Sequence, residues 1–154
     1  MKTAIISSNE KVIREAYRTA EVKDIKGFIS LFADGGYFWD VSAGIKYYGK
    51  DVTKPVEVYA EAFPDMHREL LKFIVKDDEN VVIVELTLNG THKGPLAVST
   101  GGIIPPTNNV INAPCCDVWY LVNGKILKFH CYTAGTILLG QLGVLPNLSA
   151  AIKK

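Results

Sequence analysis

The sequence predicts an α+β domain, with N-terminal helices packed on one face of a curved, mostly antiparallel sheet that encloses a pocket. Three observations carry this expectation. Apolar residues recur at helical spacing early in the chain, at Val12, Ile13, Ala16, Tyr17 and Ala20, and again at Val56, Tyr59, Ala60 and Phe63. From Arg68 onward, long runs bounded by turn residues read as strands. Between the last two runs stands Asn123-Gly124, the preferred pair for a two-residue type I′ turn, whose central residues both need positive φ. A chain of 154 residues has room for a real core, and one domain spanning residues 1–154 is expected.

The elements follow in order. Ser7 and Glu10 form a capping box ahead of the first helix. Its apolar stripe points Tyr17 inward, with a hydroxyl that needs a partner. Asp24 caps a short second helix through Ile25, Phe28, Ile29, Leu31 and Phe32, which Gly35-Gly36 breaks. A short strand, Tyr37 to Val41, precedes Tyr47-Tyr48-Gly49. A third helix starts at Asp51 or Thr53, with Pro55 in its first turn, and ends at Phe63-Pro64-Asp65. Arg68–Lys76 and Asn80–Asn89 read as paired strands, with Gly90 to Pro95 interrupting the pairing. Residues 94–108, rich in Gly, Pro, Ser and Thr, form a surface loop or broken strand. Strands resume at Val110, a last helix covers Thr136–Leu142, and the tail from Pro146 is expected to be loosely held.

Composition narrows the function. Hydrophobic residues are 48%, charged residues 21%, and the formal net charge is +1. Scattered charge offers no footprint for nucleic acid and no polybasic membrane patch. The apolar runs are too short to span a bilayer, and the N-terminus lacks a signal-peptide core, so a cytoplasmic protein is expected. Three cysteines and three histidines show no metal-site spacing, and neither a metal nor a cofactor is expected. The thiols are expected to be buried and reduced, with His67 and His92 on the surface.

A regular hairpin about Asn123-Gly124 pairs Val122 with Lys125, Leu121 with Ile126, Trp119 with Lys128 and Asp117 with His130, and brings Cys116 opposite Cys131. One face then carries Cys116, Val118, Tyr120, Leu127, Phe129 and Cys131, and is almost wholly apolar. The other carries Asp117, Trp119, Leu121, Lys128, His130 and Tyr132. An acid, a base and aromatics together suit the wall of a reactive pocket, although a cross-strand ionic pair at a wet sheet end reads equally well. Asp40 lies inside an aromatic run, where a carboxyl is costly unless exposed, paired or protonated. The candidate catalytic residues are Tyr17, Asp40, Asp117 and His130. The candidate binding walls are Trp39, Phe63, Trp119 and Tyr132.

Several motifs carry a family resemblance. Gly90-Thr91-His92, Gly94-Pro95, Pro105-Pro106-Thr107, Asp117, Gly124-Lys125-Ile126 and Gln141-Leu142-Gly143 together resemble the SnoaL-like polyketide cyclases. Leu31-Phe32-Ala33-Asp34, Gly49-Lys50 and Phe63-Pro64-Asp65 fit the same family. The resemblance implies the cone-shaped nuclear transport factor 2-like fold and a homodimer formed through the sheet, with Val118, Tyr120 and Phe129 at the interface. It also exposes departures: Ala134 stands where these cyclases place an acid/base aspartate, and Asn108 replaces a glycine. Ketosteroid isomerases are similar in part. Asp40 matches their general base, Asp117 matches their oxyanion-hole acid, and Tyr17 lies beside the position, Ala16, that matches their tyrosine.

Two functions are therefore expected alternatives. One is a cofactor-independent acid/base enzyme, cyclase-like or isomerase-like, acting on an enolisable carbonyl compound. Asp40 would be its base, and Asp117 or Tyr17 the donor to the enolate oxygen, with His130 sharing the proton. The other is a non-catalytic domain that binds a small hydrophobic or cyclic ligand.

Overall fold

A computed structural model describes residues 5–145, so the expectation for the tail from Pro146 falls outside the described residues. Helix α1 (Ser8–Glu21) begins where expected: the Ser7 hydroxyl accepts the Glu10 backbone N–H at 3.1 Å, and Ile13, Ala16, Tyr17 and Ala20 are buried. Asp24 caps α2 (Ile25–Ser30) through the Gly27 N–H at 2.9 Å.

Helix α2 ends earlier than the sequence suggests. Phe32 opens strand β1 (Phe32–Asp40), and Gly35-Gly36 lie inside that strand instead of breaking a helix. The pairing of β1 with β8 (Lys125–Thr133) steps from Phe32↔Ile126 to Tyr37↔Lys128 there. Gly35 has φ +75°, and a Cβ on Gly36 would sit 2.8 Å from the Ile126 carbonyl oxygen. The glycines thus let a kinked strand lie close against its neighbour.

Strand β2 (Ile45–Tyr48) and a 3₁₀ turn lead to α3 (Lys54–Ala62), with Pro55 in its first turn. Strands β3 (His67–Lys76) and β4 (Val81–Thr91) are followed by the small pair β5 (Leu96–Ala97) and β6 (Ile103–Ile104). Then come β7 (Val110–Val122), β8 and α4 (Gly135–Gln141). The main sheet runs β2-β1-β8-β7-β4-β3; its pairings are antiparallel except for β1 with β8. Strand β4 keeps its pairing with β7 through Gly90↔Ile111 and Thr91↔Val110, past the expected interruption at Gly90. His92, expected on the surface, is buried: its N–H donates to the Asn109 carbonyl at 2.9 Å, and its Nδ1 accepts the Thr107 N–H at 3.2 Å. It pins the 92–109 loop at both ends.

The hairpin turn forms as expected, with positive φ at Asn123 (47°) and Gly124 (74°). Val122↔Lys125 and Leu121↔Ile126 pair as expected, but the next pair is Tyr120↔Lys128. Leu127 is the extra residue of a β-bulge. Beyond it the pairs are Trp119↔Phe129, Val118↔His130 and Asp117↔Cys131. One extra residue reverses the facing of everything downstream in β8. Phe129 therefore turns inward, where its ring stacks on Trp119 at 3.5 Å, while Lys128, His130 and Tyr132 turn outward. No helix among the described residues is long and apolar enough to cross a membrane.

Candidate active site

Three helices and the inner face of the sheet enclose a cavity of about 50 Å³. Tyr17 reaches it from α1, Asp117 and Trp119 from β7, and Asp40 from the end of β1. The inward alternation of β7 runs unbroken from Leu121 through Trp119 and Asp117 to Cys115, all buried. Tyr17 is carried in by the apolar stripe of α1. Its hydroxyl donates to Asp117 Oδ2 at 2.7 Å and accepts the Trp119 indole N–H at 3.1 Å.

Asp117 is 3% exposed. Burial raises its pKa from 3.8 to about 6, against the opposing pull of hydrogen bonds from Tyr17, Cys115 and Cys131 and the charge of Arg68. The same burial, together with the neighbouring carboxylate, lifts the Tyr17 phenol well above its ordinary value. With its folded pKa at about 6, the Asp117 carboxyl is half protonated near pH 6, and the Tyr17 phenol keeps its proton there and above.

Asp40 lies where this cavity meets a vestibule of about 330 Å³; Asp40, Pro55 and Tyr59 line both spaces. The vestibule continues between α3, the β5 segment and α4. Asp40 Oδ1 accepts the Ala43 N–H at 3.1 Å. Burial raises the Asp40 pKa, while backbone hydrogen bonds at Ala43 and Ser42 oppose the rise. It is only partly buried, so it is a carboxyl with raised basicity that a ligand can still reach.

With this geometry in place, the relatives become informative. The model of the SnoaL-like domain matches residues 13–129. The chain belongs to that family. No curated protein sequence matches it. Similar crystal structures include AclR from Streptomyces galilaeus, a candidate hydroxylase, at 21% identity and TM-score 0.74, covering 94% of this chain and 97% of that one. IdmH from Streptomyces antibioticus, a candidate polyketide cyclase, shares 18% identity at TM-score 0.72, covering 90% and 100%. A ketosteroid isomerase-like protein of Catenulispora acidiphila, in complex with trimethylamine, shares 16% identity at TM-score 0.71, covering 94% and 98%. At these identities the likeness establishes the fold, which is nuclear transport factor 2-like.

This SnoaL-like domain brings together four of the residues singled out in the sequence: Tyr17, Asp40, Asp117 and Trp119. The other four lie elsewhere. His130, expected opposite Asp117, pairs with Val118 on the outer face, because the Leu127 bulge reverses β8. Its Nε2 is 2.9 Å from the Tyr37 hydroxyl, and its ring sits among Tyr37, Trp39 and Tyr120. Burial and the charges of Lys128 and Lys46 push the His130 pKa down. Trp39 and Tyr132 share that outer face, their rings 6.4 Å apart. Phe63 is fully buried behind the cavity, stacked on Tyr59 at 5.9 Å and close to the His92 ring.

The cavity also holds residues that sequence reasoning passed over: Tyr59, Arg68, Cys115, Cys131 and Thr133. Arg68 had a legible signal. It alternates with Leu70 and Phe73, apart from a bulge at Leu71, so its guanidinium must point inward. Its Nη1 lies 3.7 Å from Glu21 Oε2. Cys131 and Thr133 had none, since only the bulge turns them inward. Ala134, standing where the family resemblance expects an acid, lies between cavity-lining Thr133 and vestibule-lining Gly135. Its side chain, a methyl, carries no acid.

Proposed function

We propose that this SnoaL-like domain is an acid/base enzyme that moves a proton next to a carbonyl group, as a cyclase or isomerase does. The observation that carries the reading is the buried Tyr17–Asp117 hydrogen bond at the closed end of an apolar cavity, with Asp40 at the mouth. Asp40, as carboxylate, takes the proton α to the carbonyl. Neutral Asp117 donates to the Tyr17 oxygen, and the Tyr17 O–H donates to the developing enolate. The Trp119 N–H holds the phenol in place. A preorganised donor of this kind acts where charge develops, and is worth more in a site that excludes water.

The two spaces suggest how a ligand lies. The inner cavity, about 50 Å³, admits a carbonyl end only, whereas the vestibule, about 330 Å³, is of a size for a cyclic body. Arg68 and Tyr59 offer further polar contacts along the passage. His130 has no part in the step.

The test is exchange of α-protons for deuterium, followed by NMR, over a panel of cyclic ketones and β-diketones. Wild type should accelerate exchange for members of the panel. Asp40→Asn should reduce that rate by about 10²- to 10⁴-fold, the usual contribution of a general base. Full exchange by Asp40→Asn removes Asp40 as the base. Binding without exchange across the panel favours the second reading, a non-catalytic binding domain, which the methyl of Ala134 supports.

The same proposal includes a homodimer formed through the outer face of the sheet, where Ile74, Ile83, Val118 and Tyr120 run across adjacent strands. Phe129, expected at that interface, faces inward instead. Three free thiols fit a cytoplasmic location.

A further inference from the structure

On the inner face, Cys115, Asp117 and Cys131 bring one metal-binding atom each to within 4.8 Å of one another. No sequence spacing announces this set. It arises because Asp117↔Cys131 and Cys115↔Thr133 are successive inward-facing pairs of the β7–β8 ladder, and only the Leu127 bulge aims Cys131 and Thr133 that way. Cys115 Sγ lies 3.7 Å from Cys131 Sγ, 3.3 Å from Asp117 Oδ1 and 3.6 Å from Thr133 Oγ1, and Cys131 Sγ lies 3.3 Å from Thr133 Oγ1.

We propose that Cys115, Cys131 and Asp117 form a binding site for a thiophilic divalent cation of the zinc class, with Thr133 completing its rim. The distances fit. Donors at the corners of a tetrahedron with edges of about 3.6 Å lie about 2.2 Å from its centre, between ordinary zinc–oxygen and zinc–sulfur lengths. The donor set selects the ion: two thiolates and a carboxylate suit zinc, whereas magnesium and calcium take oxygen ligands.

The surroundings support the site as well. Asp117 divides its oxygens, with Oδ2 held by the Tyr17 hydroxyl at 2.7 Å and Oδ1 turned to the sulfurs. Such an outer hydrogen bond is what orients a metal-binding carboxylate. Arg68 lines the same cavity and offsets the excess negative charge of three anionic ligands on a divalent ion. A neutral hydroxyl such as Thr133 is a weak ligand, which leaves the fourth position open to water. Asp40, Pro55 and Tyr59 line both the cavity and the vestibule, which is the side from which an ion would enter.

Binding displaces the thiol protons and requires Asp117 to be ionised. The metal-loaded state therefore excludes the neutral Asp117 used in the proposed proton transfer, and the cation would act as an inhibitor of it. Cation binding does not depend on that proton transfer, and its test needs no substrate.

The experiment uses the full chain, reduced and stripped of metal, titrated with Co²⁺ and then Zn²⁺. A thiolate-to-cobalt charge-transfer band in the near ultraviolet, with intense tetrahedral visible bands abolished by Zn²⁺, is the expected result. Cys115→Ser and Cys131→Ser should each weaken Zn²⁺ binding by at least about 100-fold, beyond the range typical of outer-shell partners. Cys116→Ser, on the outer face, should not change it. Where a serine variant fails to fold, wild type supplies the second readout: Zn²⁺ should slow alkylation of Cys115 and Cys131 but not of Cys116. A cobalt spectrum without the thiolate band, folded serine variants that bind like wild type, or alkylation indifferent to Zn²⁺ each overturns the proposal.

Discussion

On the inner face of the β7–β8 hairpin, Asp117 is closed off by Tyr17, Trp119 and the two inward thiols. On the outer face, one cross-strand pair away, His130 is ringed by Tyr37, Trp39 and Tyr120 and flanked by lysines. Each face pairs one titratable group with aromatic rings and a tyrosine hydroxyl. The consequences are opposite. Burial pushes the Asp117 carboxyl up and the His130 imidazole down, so each is driven toward its uncharged form, but only Asp117 then has a proton to give. A mixture of acids, bases and aromatics on a strand does not identify a reactive wall. Which face closes over a cavity decides that.

Removing one donor from each face should separate their roles most clearly. Tyr17→Phe should lower exchange activity by about 10²- to 10³-fold, the usual cost of losing one preorganised donor. His130→Gln, measured in the same assay on the same ketone, should stay within about twofold of wild type, since surface changes away from the site are small. Equal losses in the two variants would mean that the outer face also takes part in the chemistry.

The second contrast is in stability against pH. The Asp117 carboxyl holds its proton more tightly folded (about 6) than at its ordinary value of 3.8. Its contribution is therefore fully present below about pH 4 and is lost as pH rises through 6. The size is on the order of 3 kcal/mol, because each tenfold gain in proton affinity is worth about 1.4 kcal/mol. His130, with its folded pKa lowered, has the opposite sign: its contribution is present above its ordinary pKa of 6.5 and is lost as pH falls through its lowered folded value. Urea unfolding of metal-free protein at a series of pH values separates the two. Asp117→Asn should remove most of the fall in stability between pH 4 and 6, leaving the part that comes from Asp40, whose pKa burial also raises, and His130→Gln should leave the whole fall in place. The same slope in wild type and Asp117→Asn would rule out a buried, proton-holding Asp117.

How legible these faces were depends on the regularity of each strand. The alternation of β7 is unbroken from the turn, so Trp119 and Asp117 could be placed inward by counting, as Tyr17 could on α1. The Asn-Gly turn and its first two pairs were equally readable. The bulge was not. Leu127 is neither glycine nor a turn former, and nothing local marks it as the residue to be looped out. From it follow the errors at Phe129, His130 and Tyr132 and the unforeseen cluster at Cys115 and Cys131. Gly35-Gly36 misled in the other direction: a pair that usually breaks an element here lets β1 kink against β8.

The smallest expected effect concerns the outer face itself. If its apolar strip is the surface that meets a second copy, a carboxylate placed there should separate the copies without disturbing the cavity. Tyr120 is the suitable position. It is partly buried on the outer face, and its neighbour Trp119 points the other way. Tyr120→Asp should weaken dimerisation by at least about tenfold, or about 1.4 kcal/mol, because an unpaired charge must be desolvated in the contact. Sedimentation over a concentration series measures this. The exchange rate per chain and the pH profile of Asp117 should stay those of wild type. A monomeric wild type, or a Tyr120→Asp dimer as tight as wild type, would remove the outer face as the interface and leave its aromatic residues without an assigned role.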